Sequence, residues 1–375
     1  MEEKIQTLWE EVRELSLGVT PIDRLHAPPT PLQFLRDYIS PNKPCIISNA
    51  IHHWPATTLW PSTSYLLHTL SSSAVSLHLT PIGRADSLTP HPTTPSSLCF
   101  ASAHVQSTPF DEALMFIRNS NQHSKFVAYL QQQNDCFRSE YSSLAADCES
   151  DIHWASEAIG CLPEAVNLWI GNHLSETSFH KDHYENIYAV ITGEKHFLLL
   201  PPTDVHRMYI RDYPAAHYIY SQDTGEFALE LDDPVRYVPW CSVNPYPSPE
   251  NKEKEVSKFP LFFEGPKPFE VTVNAGEILY LPSMWFHHVR QTPDGSGLTI
   301  ALNYWYDMPF DIKYAYFNFL QSIHYSSPLH TPTLDGLKHE ESCSYACTCN
   351  SMKELNAKTY PASEDATDGL NNSMS

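Results

Sequence analysis

Apolar residues recur at helical spacing in four parts of the chain. Near the N-terminus, Ile5, Trp9 and Val12 lie three or four positions apart, which predicts a helix over residues 2–17. Similar spacing predicts helices over residues 31–39, 111–117 and 311–325. The last helix carries Tyr316 and Phe319 on one apolar side, and this side is a candidate contact for a homodimer.

Between residues 168 and 306 the pattern changes to short apolar runs separated by Gly, Pro and Asp. Two runs flank a Thr-Gly-Glu turn, at residues 187–191 and 196–200, and predict a hairpin. Further strands are predicted at residues 44–48, 75–80, 271–281 and 298–306. Such a succession is typical of a barrel or jelly roll, so the sequence predicts a mainly β fold with flanking helices.

Three polar segments interrupt these patterns. Residues 87–109 are rich in Ser, Thr and Pro and predict a long surface loop. Residues 232–268 are Pro-rich and partly charged, which predicts a mobile loop near the mouth of the barrel. From residue 326 onward the chain is polar and without periodicity, as in a disordered tail. Three cysteines in this tail lack a fourth ligand at zinc spacing, so we interpret them as free thiols: Cys343, Cys347 and Cys349.

The predicted organisation is therefore an N-terminal helix and Pro-rich linker over residues 1–30, one globular domain over 31–325 and a tail over 326–375. The barrel itself is expected at about residues 125–310. The net charge of −21 over 375 residues argues against nucleic acid or an anionic membrane as the partner and favours a basic protein or peptide.

The N-terminus lacks the apolar stretch of a signal peptide, and no apolar run is long enough to cross a membrane. The nine cysteines are an odd number without a disulfide pattern, so reduced thiols are expected. Both observations predict a cytoplasmic or nuclear protein.

The triplet His180-Lys181-Asp182 is the first chemical signal. Residues i and i+2 of an extended segment share a face, so the His and Asp side chains are predicted to lie side by side, with the Lys turned away. Two histidines and one carboxylate are the ligand set of non-haem Fe(II) oxygenases. Of the neighbours His287 and His288, alternation lets one face the same cavity, and His287 is the candidate third ligand.

Lys195 adjoins an apolar strand, where a charge needs a partner or a way out to water. Two interpretations stay open from the residues alone. The side chain reaches solvent from the end of the strand, or its ammonium pairs with a carboxylate of a small acidic cosubstrate beside the metal. His183 and His196 are interpreted as structural.

Several motifs occur in a fixed order: residues 177–186 around His-Lys-Asp, Gly-Glu-Lys at 193–195, Pro-Pro at 201–202, Pro-Ser-Met-Trp-Phe-His at 282–287 and Asn-Tyr-Trp-Tyr at 303–306. Together they resemble the jumonji-C (JmjC) oxygenases of the cupin superfamily, most of all the small lysyl hydroxylase branch. The resemblance runs from about residue 31 to 325. It implies a double-stranded β-helix, the jelly-roll core of cupins.

The resemblance also implies roles for single residues. His180, Asp182 and His287 match the iron ligands, and Lys195 matches the lysine that binds the distal carboxylate of 2-oxoglutarate. The remaining matches are hydroxyl and amide residues that line the cosubstrate and oxygen side of the site: Thr177, Tyr129, Asn186 and Asn303. The implied cofactor is Fe(II), with 2-oxoglutarate and dioxygen as cosubstrates.

The function predicted from this set is hydroxylation of a side chain, most simply lysyl, on a basic protein substrate. Demethylation of methyl-lysine in histone tails uses the same site and stays open, although the chain shows no reader or zinc module. Peptidase activity finds no support in an H-E-x-x-H or G-x-S-x-G motif. A non-enzymatic metal-binding scaffold is disfavoured because no ligand position is lost.

Overall fold

A computed structural model describes residues 2–14, 22–121, 124–323 and 325. In chain order the strands are β1 (Asp23–Leu25), β2 (Cys45–Ile47), β3 (Ala74–Thr80), β4 (Arg84–Ala85), β5 (Ser87–Pro90), β6 (Leu98–Ser102), β7 (His104–Pro109), β8 (Val127–Tyr129), β9 (Ala165–Gly171), β10 (Glu176–His180), β11 (Tyr184–Thr192), β12 (Glu194–Leu200), β13 (Arg211–Ser221), β14 (Glu226–Leu231), β15 (Tyr237–Trp240), β16 (Phe269–Asn274), β17 (Ile278–Leu281), β18 (Phe286–Thr292) and β19 (Thr299–Asp307).

The α-helices are α1 (Glu2–Val12), α2 (Pro31–Phe34), α3 (Ala56–Leu59), α4 (Thr63–Thr69), α5 (Phe110–Asn119), α6 (Cys136–Ser139), α7 (His153–Ile159), α8 (Lys252–Lys258), α9 (Pro260–Glu264) and α10 (Ile312–Ser322). A π-helical turn, Leu35–Ile39, continues α2, and 3-10 turns form at Ser142–Asp147, Pro202–Met208 and Pro249–Asn251. In the described part of the chain the longest helices, α1 and α10, have 11 residues, and none is long and apolar enough to span a membrane.

Two sheets form the centre of the molecule. The larger has the order β1-β2-β17-β11-β19-β9, and the smaller has the order β16-β12-β18-β10-β4. Apolar side chains from both sheets pack together in one cluster, among them Val190 and Ala301 from the larger sheet and Phe197 and Val273 from the smaller. The predicted mainly β jelly-roll fold is confirmed.

The hairpin predicted around Thr-Gly-Glu is wrong. Consecutive strands β11 and β12 belong to different sheets, β11 pairing with β17 and β19 and β12 with β16 and β18. Gly193 makes the crossing with φ +70°, and an added Cβ would lie 2.6 Å from the Thr292 carbonyl oxygen, so only glycine fits the turn. Because consecutive strands change sheet, Asn186 and Lys195 approach the central cavity from opposite walls.

Both internal segments predicted as loops contain regular structure. Residues 87–109 form β5, β6 and β7, and β6 joins a separate sheet between β5 and β13. Residues 232–268 form β15, α8 and α9, and their Phe259 and Phe262 are buried against Phe179 and Phe286. The prolines obscured these elements, because Pro is compatible with edge strands and with the first turn of a helix.

The two terminal helices follow the predictions with shifted ends. Helix α1 begins at Glu2 and ends at Val12, and Arg13 just beyond it pairs with the buried Asp204 at 2.6 Å. Helix α10 buries Leu320 but leaves Tyr316 63% and Phe319 65% exposed. The dimer contact stays a prediction, and the predicted tail with its three cysteines lies outside the described residues.

Candidate active site

A cleft opens between the two sheets and encloses about 560 Å³ including its mouth. Its walls combine aromatic rings with a few polar side chains, as is usual for small-molecule sites. Eight of the sixteen lining residues carry the argument that follows: Asp86, Tyr129, Thr177, His180, Asp182, Asn186, His287 and Asn303.

Three metal-binding side chains converge in this cleft. His180 and His287 are directly paired across β10 and β18, and their ring centroids are 4.1 Å apart. Asp182 follows β10, and its Oδ2 lies 3.7 Å from Nε2 of His180 and 3.6 Å from Nε2 of His287. All three ligand atoms lie within 4.8 Å of one another, as one metal ion requires.

Backbone carbonyls fix the orientation of both histidines. Nδ1 of His180 lies 2.9 Å from the Ser178 carbonyl oxygen, and Nδ1 of His287 lies 3.1 Å from that of Trp285. With Nδ1–H donating, each Nε2 keeps its lone pair for a metal. Burial, reinforced by the neighbouring His180, lowers the pKa of His287 well below its ordinary value, so this ring is neutral and ready to ligate.

A β-bulge in β10 allows Thr177 and His180, which are an odd number of positions apart, to face the same cleft. The pairing of β10 with β18 shifts between Thr177 and His180, which are three positions apart. Strict alternation would put these side chains on opposite faces. The bulge turns both inward, while Lys181 points away and donates to Gln321 of α10 at 2.7 Å.

Lys195 is buried, with 1% of its surface exposed, so it does not reach solvent. Its Nζ donates to the Tyr129 hydroxyl at 2.9 Å and lies 5.9 Å from the Tyr188 ring centroid. No carboxylate among the described residues forms an ion pair with it, and burial lowers its pKa to about 7. A bound anion would offset this cost, so the position fits the carboxylate of an acidic cosubstrate.

The amide residues line the opposite wall. Asn303 and Asn186 lie two register positions apart on the neighbouring strands β19 and β11, and Nδ2 of Asn303 donates to Oδ1 of Asn186 at 3.4 Å. Nε1 of Trp169 donates to Oδ1 of Asn303 at 2.9 Å and fixes the orientation of that amide. Thr177 completes the group from the smaller sheet, and the structure brings all eight predicted residues to one cleft and its floor.

Two further histidines of the smaller sheet, His288 and His196, have side-chain partners. Nε2 of His288 lies 2.8 Å from Oε1 of Glu176, whose second close partner is Arg84 at 2.9 Å. His196 lies between Thr272 and Thr292 on the far side of the smaller sheet. These contacts agree with the interpretation of His196 as a structural residue, and they give His288 a structural partner as well.

Two residues of the site were not predicted from the sequence. Trp240 of β15 stacks on His180 with the ring planes 4° apart and centroids 6.1 Å apart. Asp86 follows β4, is half-buried and lines the cleft. Burial raises the pKa of its carboxyl to about 6, and the nearby His180 acts in the opposite direction. The alternating pattern of β15 (Tyr-Val-Pro-Trp) carried a signal for the first. The turn at residues 80–86 is part of the family resemblance, but that resemblance assigned no role to Asp86.

Comparison with known proteins gives a consistent result. Residues 31–312 match the family model of the cupin-like domain. The chain is 63% identical over 342 residues to the lysine-specific demethylase JMJ32 of Arabidopsis thaliana, covering 91% of this chain and 97% of that protein. It is 39% identical over 317 residues to the human bifunctional peptidase and (3S)-lysyl hydroxylase JMJD7, covering 84% of this chain and 93% of that protein.

A third relative, JmjC domain-containing protein E of Dictyostelium discoideum, is 36% identical over 328 residues, covering 84% of this chain and 91% of that protein. All three matches span most of both chains. The similarity therefore extends over the whole β core.

Proposed function

The chain belongs to the cupin-like JmjC oxygenases, and on that premise we propose that it uses Fe(II) and 2-oxoglutarate to hydroxylate a lysyl side chain of a basic protein. The observation that carries the proposal is the pairing of a complete His180, Asp182 and His287 ligand set with a buried cation, Lys195, that lacks an anion among the described residues.

The residues divide the work between holding the metal and holding the cosubstrate. His180, Asp182 and His287 would hold Fe(II) through three protein ligands and leave coordination positions for a cosubstrate. Lys195, with the Tyr129 hydroxyl at 2.9 Å, would bind the distal carboxylate of 2-oxoglutarate. Bound together, iron and 2-oxoglutarate supply oxidative decarboxylation coupled to substrate oxidation by dioxygen.

The aromatic walls of the cleft would limit the access of water to the reacting groups. The rings of Trp169, Tyr188 and Phe197 line the cleft, and each is largely buried. Excluding water strengthens the charge pairing at Lys195 and protects a reactive oxidant from side reactions. Asn186 and Asn303 would donate or accept hydrogen bonds on the opposite wall of the cleft.

The names of these relatives print three activities, a lysine demethylase, a peptidase and a lysyl hydroxylase, of which the first and the last are oxidations. Both oxidise a carbon atom of a lysine side chain, so one ligand set serves either. We favour hydroxylation because Asp86, which has no ion pair among the described residues, lines the cleft, and an unmodified ammonium would offer it more N–H donors than a methylated one. The six described cysteines are free thiols, which agrees with a proposed site of action in the cytosol or nucleus.

The test is an incubation of the full chain with Fe(II), ascorbate, 2-oxoglutarate and a panel of unmodified and methylated lysine peptides. Succinate and peptide mass are read together. A gain of one oxygen on an unmodified peptide supports the proposal, whereas formaldehyde release from a methylated peptide alone establishes the demethylase instead.

The matched controls are Asp182→Ala, which removes a ligand, and Glu194→Gln, which neutralises an exposed carboxylate of the smaller sheet outside the cleft. Product formation that persists in Asp182→Ala would assign it to a contaminant. A chain that binds iron but consumes no 2-oxoglutarate would refute both enzymatic outcomes.

A further inference from the structure

Asp86 is held against the strand that carries the first metal ligand. Strand β4 runs parallel to β10, with Ala85 aligned to Thr177. The next residue, Asp86, accepts a hydrogen bond from Oγ of Ser178 to its backbone oxygen at 2.6 Å. Its backbone is left-handed, with φ 49°, an uncommon conformation that Asp and Asn tolerate best. The backbone of Asp86 is thus held in place, and the residue lines the wall of the cleft.

The part of the chain that the structure describes offers the Asp86 carboxyl no partner. Within the described residues, its side chain makes no hydrogen bond and no ion pair. His180, the nearby imidazole, has its Nδ1 hydrogen-bonded to the Ser178 carbonyl oxygen and its Nε2 directed towards Asp182. Since both nitrogens of that ring are engaged, Asp86 does not orient this metal ligand. A partly desolvated carboxylate without a partner is costly unless a ligand supplies a cation.

Charge is distributed unevenly across the smaller sheet. Its strand order places β12, with Lys195, three strands away from β4, and β18 and β10 with the two histidines lie between them. At about 4.8 Å per strand, this separates strands β12 and β4 by roughly 14 Å across the sheet. The cleft therefore has a cation on one side of the metal ligands and an anion on the other.

We propose that Asp86 binds the ammonium group of the substrate lysyl side chain and selects lysine over uncharged residues. This inference rests on the function proposed above and names the side chain that would recognise its substrate. Lys195 is left to the cosubstrate carboxylate, and the lysyl methylenes would lie along the Trp305 ring, which also lines the cleft. The amide of Gln133 is a neutral acceptor in the same cleft.

A direct test measures binding of n-butylammonium, which reproduces the end of a lysine side chain, to the Mn(II)-loaded full chain by paramagnetic relaxation of the ligand protons. Uncharged 1-butanol is the matched probe. Replacing Asp86 by Asn keeps the left-handed backbone accessible but removes the charge. We expect Asp86→Asn to weaken n-butylammonium binding roughly 10- to 100-fold, the range of a charge-assisted hydrogen bond, with no change for 1-butanol.

The control Asp223→Asn removes one negative charge from an exposed turn and should leave n-butylammonium affinity unchanged. A second readout compares peptides with central lysine or norleucine. Wild type should prefer lysine, mainly through KM, and Asp86→Asn should lose the preference.

Equal n-butylammonium affinity in wild type and Asp86→Asn would overturn the proposal. A loss of Mn(II) affinity in Asp86→Asn would also overturn it, since Asp86 would then support the metal. Failure of wild type to consume 2-oxoglutarate would refute the proposed oxygenase function, whereas the binding comparison would still decide whether Asp86 recognises an ammonium.

Discussion

Strands β10 and β18 have one face towards the cleft and one away from it, and the adjacent residues His287 and His288 lie on these two faces. His287 is buried with its Nε2 directed at Asp182, 3.6 Å away. His288 is equally buried, with its Nε2 2.8 Å from Glu176. Their surroundings therefore distinguish the two rings, although residue type and burial do not.

The difference lies in whether a charged group has a partner of opposite charge. On the outer face, His288 and Arg84 both contact the Glu176 carboxylate. Burial alone would raise the pKa of Glu176, but these partners lower it. On the inner face and the cleft floor, two carboxyls and one ammonium lack a matched opposite charge within the described residues: Asp86, Asp182 and Lys195. A cluster whose charges are paired with one another, such as that around Glu176, stabilises the fold. Charged groups without such partners are typical of binding sites.

The largest effect should come from removing His287, compared with removing its neighbour His288. We expect His287→Ala to reduce 2-oxoglutarate turnover on the order of 1,000-fold or more, because one of three metal ligands is lost. His288→Ala should retain turnover within about tenfold but lower the melting temperature, because Glu176 loses its nearest partner. Initial rates at saturating Fe(II) and thermal unfolding of both variants decide this, and equal rates would contradict the assignment of the faces.

Replacing Lys195 should weaken binding of 2-oxoglutarate without destabilising the unliganded protein. Lys195→Met should raise KM for 2-oxoglutarate roughly 10- to 100-fold, since the carboxylate loses a charge-assisted hydrogen bond. The same change should leave the unliganded protein equally or more stable, because a buried ammonium without an anion is replaced by an apolar chain of similar length. Substrate titrations and urea unfolding without 2-oxoglutarate measure the two effects.

The control for that substitution is Lys195→Arg, which keeps the charge and should retain more of the 2-oxoglutarate affinity than Met does. A marked loss of stability in Lys195→Met without 2-oxoglutarate would instead identify Lys195 as a structural residue.

Glu176 tests the outer face. Glu176→Gln should lower the free energy of unfolding by about 1–3 kcal/mol, because His288 and Arg84 lose a charged acceptor in a largely buried position. Metal affinity should stay nearly unchanged. Glu194→Gln is the matched control: its carboxylate is 45% exposed and 3.8 Å from His196, so a change below about 0.5 kcal/mol is expected.

The ligand set could be predicted from the sequence because its information is local. His180 and Asp182 are two positions apart, and the motif at residues 282–287 ends at His287. The structure brings these three together. The sequence could not decide between two interpretations of Lys195, because whether a strand end reaches water depends on the strands beside it. The 1% exposure of Lys195 follows from its position between β16 and β18.

Long-range pairing explains what the sequence did not predict. The turn at Gly193 has hairpin composition, yet the strands on either side pair with residues far along the chain. Asp86 reaches the cleft only because β4 aligns in parallel with β10, about 90 residues later, and Trp240 reaches His180 from an insertion that resembled a loop. Local composition does not encode such pairings.

The smallest expected effect concerns Thr177, which follows Glu176 directly and lies on the inner face. Its hydroxyl makes no side-chain hydrogen bond within the described residues, and it lines the cleft. Thr177→Val keeps the shape and removes the hydroxyl, so we expect a free energy of unfolding within about 0.5 kcal/mol of wild type. KM for 2-oxoglutarate should rise about threefold to tenfold, as for loss of one hydrogen bond. Thr177→Ser retains the hydroxyl and should restore most of the affinity. If Thr177→Val lowers the free energy of unfolding by clearly more than about 0.5 kcal/mol and leaves KM unchanged, the Thr177 hydroxyl serves the fold and not the cosubstrate. The distinction between the two faces would then be wrong for this residue.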